Sequence, residues 1–422
     1  MSEEVLLARV AWSRLAEPGD LVAGAVVAAL GPVDALAWLR DAAPAAVAGV
    51  PVRLDTGEEA SAGESGRRLA AAVRRWVPRL AGLTPERDLE TVRRLGGQVV
   101  TPEDPGWPGA MSDLGHAAPA CLWVRSEVPL DGLLRRAVAV IGARACTAYG
   151  EHVTAQIVAG LADGGWTVVS GGAYGIDAVA HRTAVAFRGG ATVAFLAGGV
   201  DRPYPAGNAR LLAAIVAEGG AVVSEVPPGS VPSRSRFLLR NRLSAAGGQV
   251  TVVVEAAWRS GALSTAGHAA DLLRPVGAVP GPVTSAASAG CHRLLRDGLA
   301  VCVTDAAEVI ELAGAPGAGA AGSARAVDVS VAPARNGPPE HLDDVTRRTW
   351  EALPVRQAAS AESLARVAGL SVPEVLAGLG LLELAGHAVR VGETWSRPRR
   401  HATSGQTRTN RAPAEVVERF TG

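Results

Sequence analysis

Between residues 136 and 313 short apolar blocks alternate with longer stretches of mixed polarity. The blocks fall at 137–141, 167–170, 192–196, 221–224, 250–255, 276–279 and 301–303. Most are unbroken runs of Val, Ala, Ile and Leu, as expected for strands covered on both faces. The stretches between them are long enough for helices. Repeated βα units of this kind predict an α/β fold, an extended Rossmann-like and mainly parallel sheet with helices on both faces.

Outside this block the periodicity changes. Residues 1–100 read as helices punctuated by Pro18-Gly19 and Gly31-Pro32, with Leu6, Leu7, Val10, Ala11 and Leu15 on one apolar face. This predicts an N-terminal helical (SAM-like) module ahead of a core at 101–313. Residues 314–340 are rich in Gly, Ala and Pro without period, the composition of a linker. Helices at 343–353, 360–367 and 373–384, with a Gly369-Leu370-Ser371 turn before the third and a short strand at 386–391, predict a winged-helix domain over 341–395. The tail, 396–422, carries six arginines against Glu415 and Glu418, so it reads as basic and disordered.

Composition narrows the chemistry. All 41 basic residues are arginine and balance 41 acidic ones, so the net charge is zero and any surface for a polyanion must be local. Phosphate contacts from basic side chains here must use the bidentate guanidinium. Four scattered cysteines, Cys121, Cys146, Cys291 and Cys302, lack metal-ligand spacing. They point away from a disulfide framework or zinc site and towards a reducing cytoplasm. Glu3 and Glu4 stand where a signal peptide would be basic, and no apolar run is long enough to span a bilayer. No cofactor, metal or membrane partner is expected.

The chemistry-bearing motifs lie at strand ends. The first strand ends in Ile141-Gly142-Ala143-Arg144, and the second in Ser170-Gly171-Gly172-Ala173-Tyr174-Gly175-Ile176-Asp177. Glycines at the carboxyl ends of parallel strands let an anion approach backbone N–H groups and the next helix N-terminus. Each alone reads equally well as tight packing, but two adjacent ends face one crevice. Further on stand Phe237-Leu238-Leu239-Arg240-Asn241-Arg242, whose arginines could reach phosphate or form a solvated helix face. Ser260-Gly261 and Thr265 then offer hydroxyls and a glycine at another helix start.

In order and spacing these motifs, with His181, Tyr204-Pro205, Ser224-Glu225 and Pro280-Gly281, resemble the DNA-processing protein A family (DprA, also called Smf) over about 180 residues. Pro105-Gly106-Trp107-Pro108, 122–125 and 16–20 extend the resemblance upstream, and the winged helix extends it downstream. It implies a protein that binds single-stranded DNA, self-associates as a homodimer through the Rossmann core and loads the RecA recombinase during natural transformation. The implied phosphate and DNA contacts are Gly142, Arg144, Ser170, Gly171, Gly172, Tyr174, Gly175, Arg240, Asn241, Arg242, Ser260, Gly261 and Thr265. Where the family often has basic residues this chain has Tyr174 and Ala206. Arg210, one turn beyond Ala206, is the substitute, and Tyr174 offers a face for base stacking.

Two other classes compete. A phosphoribohydrolase-type enzyme needs a glutamate after its Pro-Gly-Gly-x-Gly-Thr turn, and 260–265 is followed instead by Ala266, Gly267 and His268. Asp177, Asp201, Glu225 and Glu255 lie at strand ends without acid–base spacing, so no catalytic residue is assigned. A transcription factor would need Arg, Asn or Gln on the third helix of the winged domain. That helix has Glu374 and Glu383 and no arginine, which favours protein contact or weak backbone contact.

Overall fold

The computed structural model describes residues 2–48, 64–187, 189–314, 343–354, 358–384, 387–392 and 394–397. The linker expected at 314–340, except Gly314, and the tail beyond Arg397 lie outside these residues. The chain divides into two compact units, Met1–Ala324 and Arg325–Gly422.

In the first unit five helices lead, α1 (Glu3–Leu15), α2 (Leu21–Leu30), α3 (Pro32–Val47), α4 (Glu64–Leu80) and α5 (Pro85–Arg94). Ser2 and Asp20 cap α1 and α2 with side-chain oxygens on free helix N–H groups. Their apolar faces meet around Leu15, Leu39 and an edge-to-face pair, Trp12 and Trp76, 5.4 Å between centroids.

The module does not close at residue 100. β1 (Gln98–Val100) pairs antiparallel with β2 (Leu122–Arg125), and β2 pairs antiparallel with β6 (Ala221–Ser224). Neither β1 nor β2 is among the strands expected from the sequence. They extend the sheet of β3 (Ala137–Ile141), β4 (Thr167–Gly171), β5 (Thr192–Leu196), β7 (Val250–Val253), β8 (Val276–Ala278) and β9 (Val301–Cys302) to nine strands. The order is β1-β2-β6-β5-β4-β3-β7-β8-β9, and β3 to β9 run parallel.

Helices cover both faces. After the short α6 (Gly109–Ser112) and α7 (Leu130–Leu134) come α8 (Ala148–Asp163), α9 (Ile176–Ala186), α10 (Ala209–Ala217), α11 (Arg234–Gly247), α12 (Ala262–Asp271), α13 (Ala289–Arg296) and α14 (Ala306–Ala313). Because successive strand residues point to opposite faces, Val138 and Val140 pack on Ile157 and Leu161 of α8 and Ile176 of α9. Ala137 and Ala139 join Leu243 and Ala246 of α11 on the other side.

The second unit is a winged helix. It comprises α15 (Asp344–Ala352), α16 (Ala361–Ala368), α17 (Val372–Leu384) and a small sheet ordered β10 (Ala359–Ser360), β12 (Thr394–Ser396), β11 (Val389–Val391). Gly369 ends α16 in the left-handed conformation, φ 63°, which glycine adopts without strain. Trp350, Leu364, Val375, Leu379 and Trp395 form the core.

Candidate nucleic-acid interface

Counting outward from β3, the chain lays β4, β5 and β6 on one side and then crosses to lay β7, β8 and β9 on the other. At such a switch point the loops beyond neighbouring strand ends part and leave a crevice. A cavity of about 460 Å³ lies there. Its walls come from the β3–α8 loop (Gly142 to Ala145), the end of β4 (Gly171, Ala173), α9 (Asp177), α11 (Phe237, Leu238, Arg240, Asn241, Ser244) and the turn into α12 (Ala257, Arg259 to Ala262, Thr265).

Three arginines reach this space with different freedom. Arg144 is exposed and rests on the Phe237 ring, its guanidinium carbon 4.8 Å from the centroid. Phe237 is itself tilted against Tyr204, centroids 5.7 Å apart. Arg259 is exposed on the opposite wall. Arg240 is buried at the base, its Nη1 donating to the Phe195 carbonyl at 2.6 Å and its Nε without a protein partner. Burial lowers the Arg240 pKa against the pull of Asp177, and Arg144 adds to the lowering. Burial likewise raises the Asp177 carboxyl, opposed chiefly by Arg240. Arg240 lines the floor of the cavity, a position from which a guanidinium can meet an anion that enters.

The glycines act mostly through packing. A side chain at Gly171 would run into Arg240 Nη1, so this glycine admits the guanidinium to its seat. At Gly142 a Cβ would meet Ile176 Cγ1 at 2.6 Å, so the glycine lets β3 lie close on α9. Gly175, φ 77°, turns the chain against the Ala143 carbonyl and accepts no side chain there. The loop bearing Arg144 is anchored from β7. Glu255, buried just past that strand, accepts the Thr147 N–H (2.9 Å) and hydroxyl (2.6 Å) at the start of α8. That places a carboxylate at a helix N-terminus, where the dipole favours it.

The residues singled out in the sequence are not all brought together. Gly142, Arg144, Gly171, Arg240, Asn241, Ser260, Gly261 and Thr265 line the crevice. Ser170 is wholly buried, its hydroxyl on the Val140 carbonyl at 2.6 Å, so it offers nothing to a ligand. Gly172 lies against Leu196 and the Tyr204 carbonyl, and its own carbonyl accepts from Asn208. Tyr174 and Arg210 are exposed outside the cavity lining, Tyr174 lying over Gly207.

Arg242 is the clearest correction. It is buried and holds Glu225 through two bonds of 2.6 and 2.7 Å, with further bonds to the carbonyls of Ala117 and Leu239. Residues two apart on a helix point about 200° apart, so Arg240 and Arg242 cannot share the crevice. Conversely, Phe237, Asp177 and Arg259 line the crevice although none was assigned a contact with DNA. The Ala257–Arg259 loop carries no glycine signature that would have marked it.

The strand-end carboxylates are otherwise occupied. Glu225 pairs with Arg242, Glu255 with Thr147, and Asp201 accepts the Gly229 N–H at 2.9 Å. His181 bridges the Thr192 hydroxyl (2.8 Å) and the Gly171 carbonyl (2.7 Å) under β4, and burial lowers its pKa to about 4. Among the described residues no three His, Cys, Asp or Glu gather to hold a metal ion, and no single helix is long and apolar enough to cross a membrane.

Fold and crevice together define a doubly wound, Rossmann-like α/β protein with an arginine-lined crevice at its switch point and an added winged helix. The model of the family described as DNA recombination-mediator protein A matches residues 98–314, and that of the DprA winged helix domain matches 333–393. The DNA processing protein DprA of Mycobacterium tuberculosis is 43% identical over 425 residues, covering 96% of this chain and 98% of its own length. Protein Smf of Escherichia coli is 40% identical over 193 residues, 46% of this chain and 50% of its length. The X-ray structure of DprA from Streptococcus pneumoniae superposes with a TM-score of 0.57 at 28% identity, covering 74% of this chain and 98% of that one. The chain belongs to the DNA recombination-mediator protein A family.

Proposed function

We propose that the chain binds single-stranded DNA along the crevice, protects incoming strands and loads the RecA recombinase onto them. The observation that carries the reading is the convergence of Arg144, Arg240 and Arg259 on one cavity beside the Phe237–Tyr204 stack. Guanidinium groups take phosphate, and aromatic faces take bases without demanding a sequence. A net charge of zero means that such attraction must come from local groups of arginines rather than from the chain as a whole. Family membership supports the setting in DNA processing and recombination, and the RecA partner rests on it alone.

Self-association through the Rossmann unit belongs to the same proposal. Among the described residues β9 pairs with β8 alone, and Val301 within it and Leu299 just before it are more than half exposed. A short apolar sheet edge of this kind is suited to a second copy. For the winged helix we propose a protein contact, because the exposed side of α17 carries Glu374, Leu376, Leu381 and Glu383 without a basic residue.

The test is a salt-titrated comparison of labelled single- and double-stranded oligonucleotides on the wild type and Arg144→Ala. The reading expects a salt-sensitive preference for the single strand, with Arg144→Ala flattening the log–log salt slope by about 1. Equal, weak binding of both forms, or an unaltered Arg144→Ala, contradicts it.

A further inference from the structure

Nine tryptophans are present, and six are buried. Of the nine only Trp258 is exposed, at 53%. It stands in the turn after β7 between Ala257 and Arg259, both of which line the crevice. Arg293 of α13 lies over its ring, 5.2 Å from the centroid, and is braced by Asp297 at 3.3 Å.

Leaving so large an apolar ring in water forgoes the burial its type normally gains. The opposite wall carries the same combination, Arg144 on Phe237. An aromatic face beside an arginine is the arrangement that holds an unpaired base while a cation meets the neighbouring phosphate.

We propose that Trp258, with Arg293 held against it, is a stacking platform for a base of single-stranded DNA just outside the crevice, so that the strand leaves over the β7–α12 turn. This rests on the crevice being the DNA site. Arg259, next in the chain, would meet the phosphate between the base in the crevice and the base on Trp258. The site is indifferent to sequence because it offers a ring face and no base-edge hydrogen bond.

The experiment titrates an oligothymidine of about 20 nucleotides against wild type, Trp258→Ala, Trp258→Phe and Arg144→Ala, reading fluorescence anisotropy of a label and intrinsic tryptophan emission. Urea midpoints confirm that each variant is folded. Trp258→Ala should bind between about 5- and 150-fold more weakly, the range for loss of one stacked base, and Trp258→Phe should recover most of that loss. Saturating DNA should quench the wild-type emission, and the quench should vanish in Trp258→Phe, since the other tryptophans are wholly or partly enclosed.

If Arg144→Ala is impaired while Trp258→Ala binds within about twofold of wild type and the quench persists in Trp258→Phe, the platform is wrong and the crevice stands. If Arg144→Ala binds as the wild type does, the crevice assignment falls and takes the platform with it.

Discussion

Arg242→Ala separates a structural arginine from a DNA contact. In the wild type the guanidinium gives Glu225 two bonds of 2.6 and 2.7 Å, and both side chains are nearly enclosed, 5% and 10% exposed. Truncation leaves Glu225 with the Gly19 N–H at 3.3 Å and strands the Ala117 carbonyl, which loses two donors. A buried carboxylate stripped of its partner costs about 3–5 kcal/mol. Domains hold a total of only about 5–15 kcal/mol, so the variant should sit near the edge of folding. In the double variant Arg242→Met, Glu225→Gln no charge is orphaned, and we expect it to be more stable than Arg242→Ala alone. The assay is urea denaturation followed by fluorescence, with oligonucleotide anisotropy measured at low urea where each variant is folded. The midpoint should fall sharply for Arg242→Ala, while affinity per folded molecule stays within about twofold of wild type. An unchanged midpoint with a tenfold or greater loss of affinity, about 1.4 kcal/mol, would refute the reasoning.

Two further outcomes follow from the same packing. Gly171→Ala should expel the Arg240 guanidinium from its seat, costing about 1.5–3 kcal/mol for the charged hydrogen bond to Phe195. It should weaken single-strand binding as well, and a variant with wild-type midpoint and affinity would contradict the assignment. His181 resists protonation in the fold down to about pH 4, whereas in the unfolded chain it takes a proton below about pH 6.5. The unfolded state therefore binds more protons in that window, and stability falls as pH drops from about 6.5 to 4, by about 3 kcal/mol at the acid end. Denaturation midpoints for His181→Gln should fall less steeply over the same range. A slope equal to that of the wild type excludes His181 as the source.

The parallel strands were legible because burial on both faces forces unbroken apolar runs, as at Ala137–Ile141 and Val250–Val253. β1 and β2 were not, since they join the sheet antiparallel and lie ahead of the repeating βα units that mark the other strands. The crevice was legible from its glycines, although Gly142 and Gly171 prove to make room for Ile176 and Arg240. Composition could not tell Arg240 from Arg242; helical geometry could, because two positions along α11 reverse the face. Trp258 and Arg259 were invisible for a different reason. A loop residue is brought to a cavity by the fold around it, and no local spacing records that.

Helix α11 has two tenants. Its crevice side presents Phe237, Arg240 and Asn241, while Arg236 grips Glu17 of the N-terminal module at 2.9 Å and Arg242 grips Glu225, which in turn holds Gly19. The module and the ligand-facing wall thus share one rigid rod. A change at Glu17, remote in sequence from the crevice, perturbs the same helix as a change at Asn241, and their free energies should combine non-additively. The Glu17–Gly19 stretch of the N-terminal module is therefore less an appendage than a splint for the helix that forms one wall of the crevice.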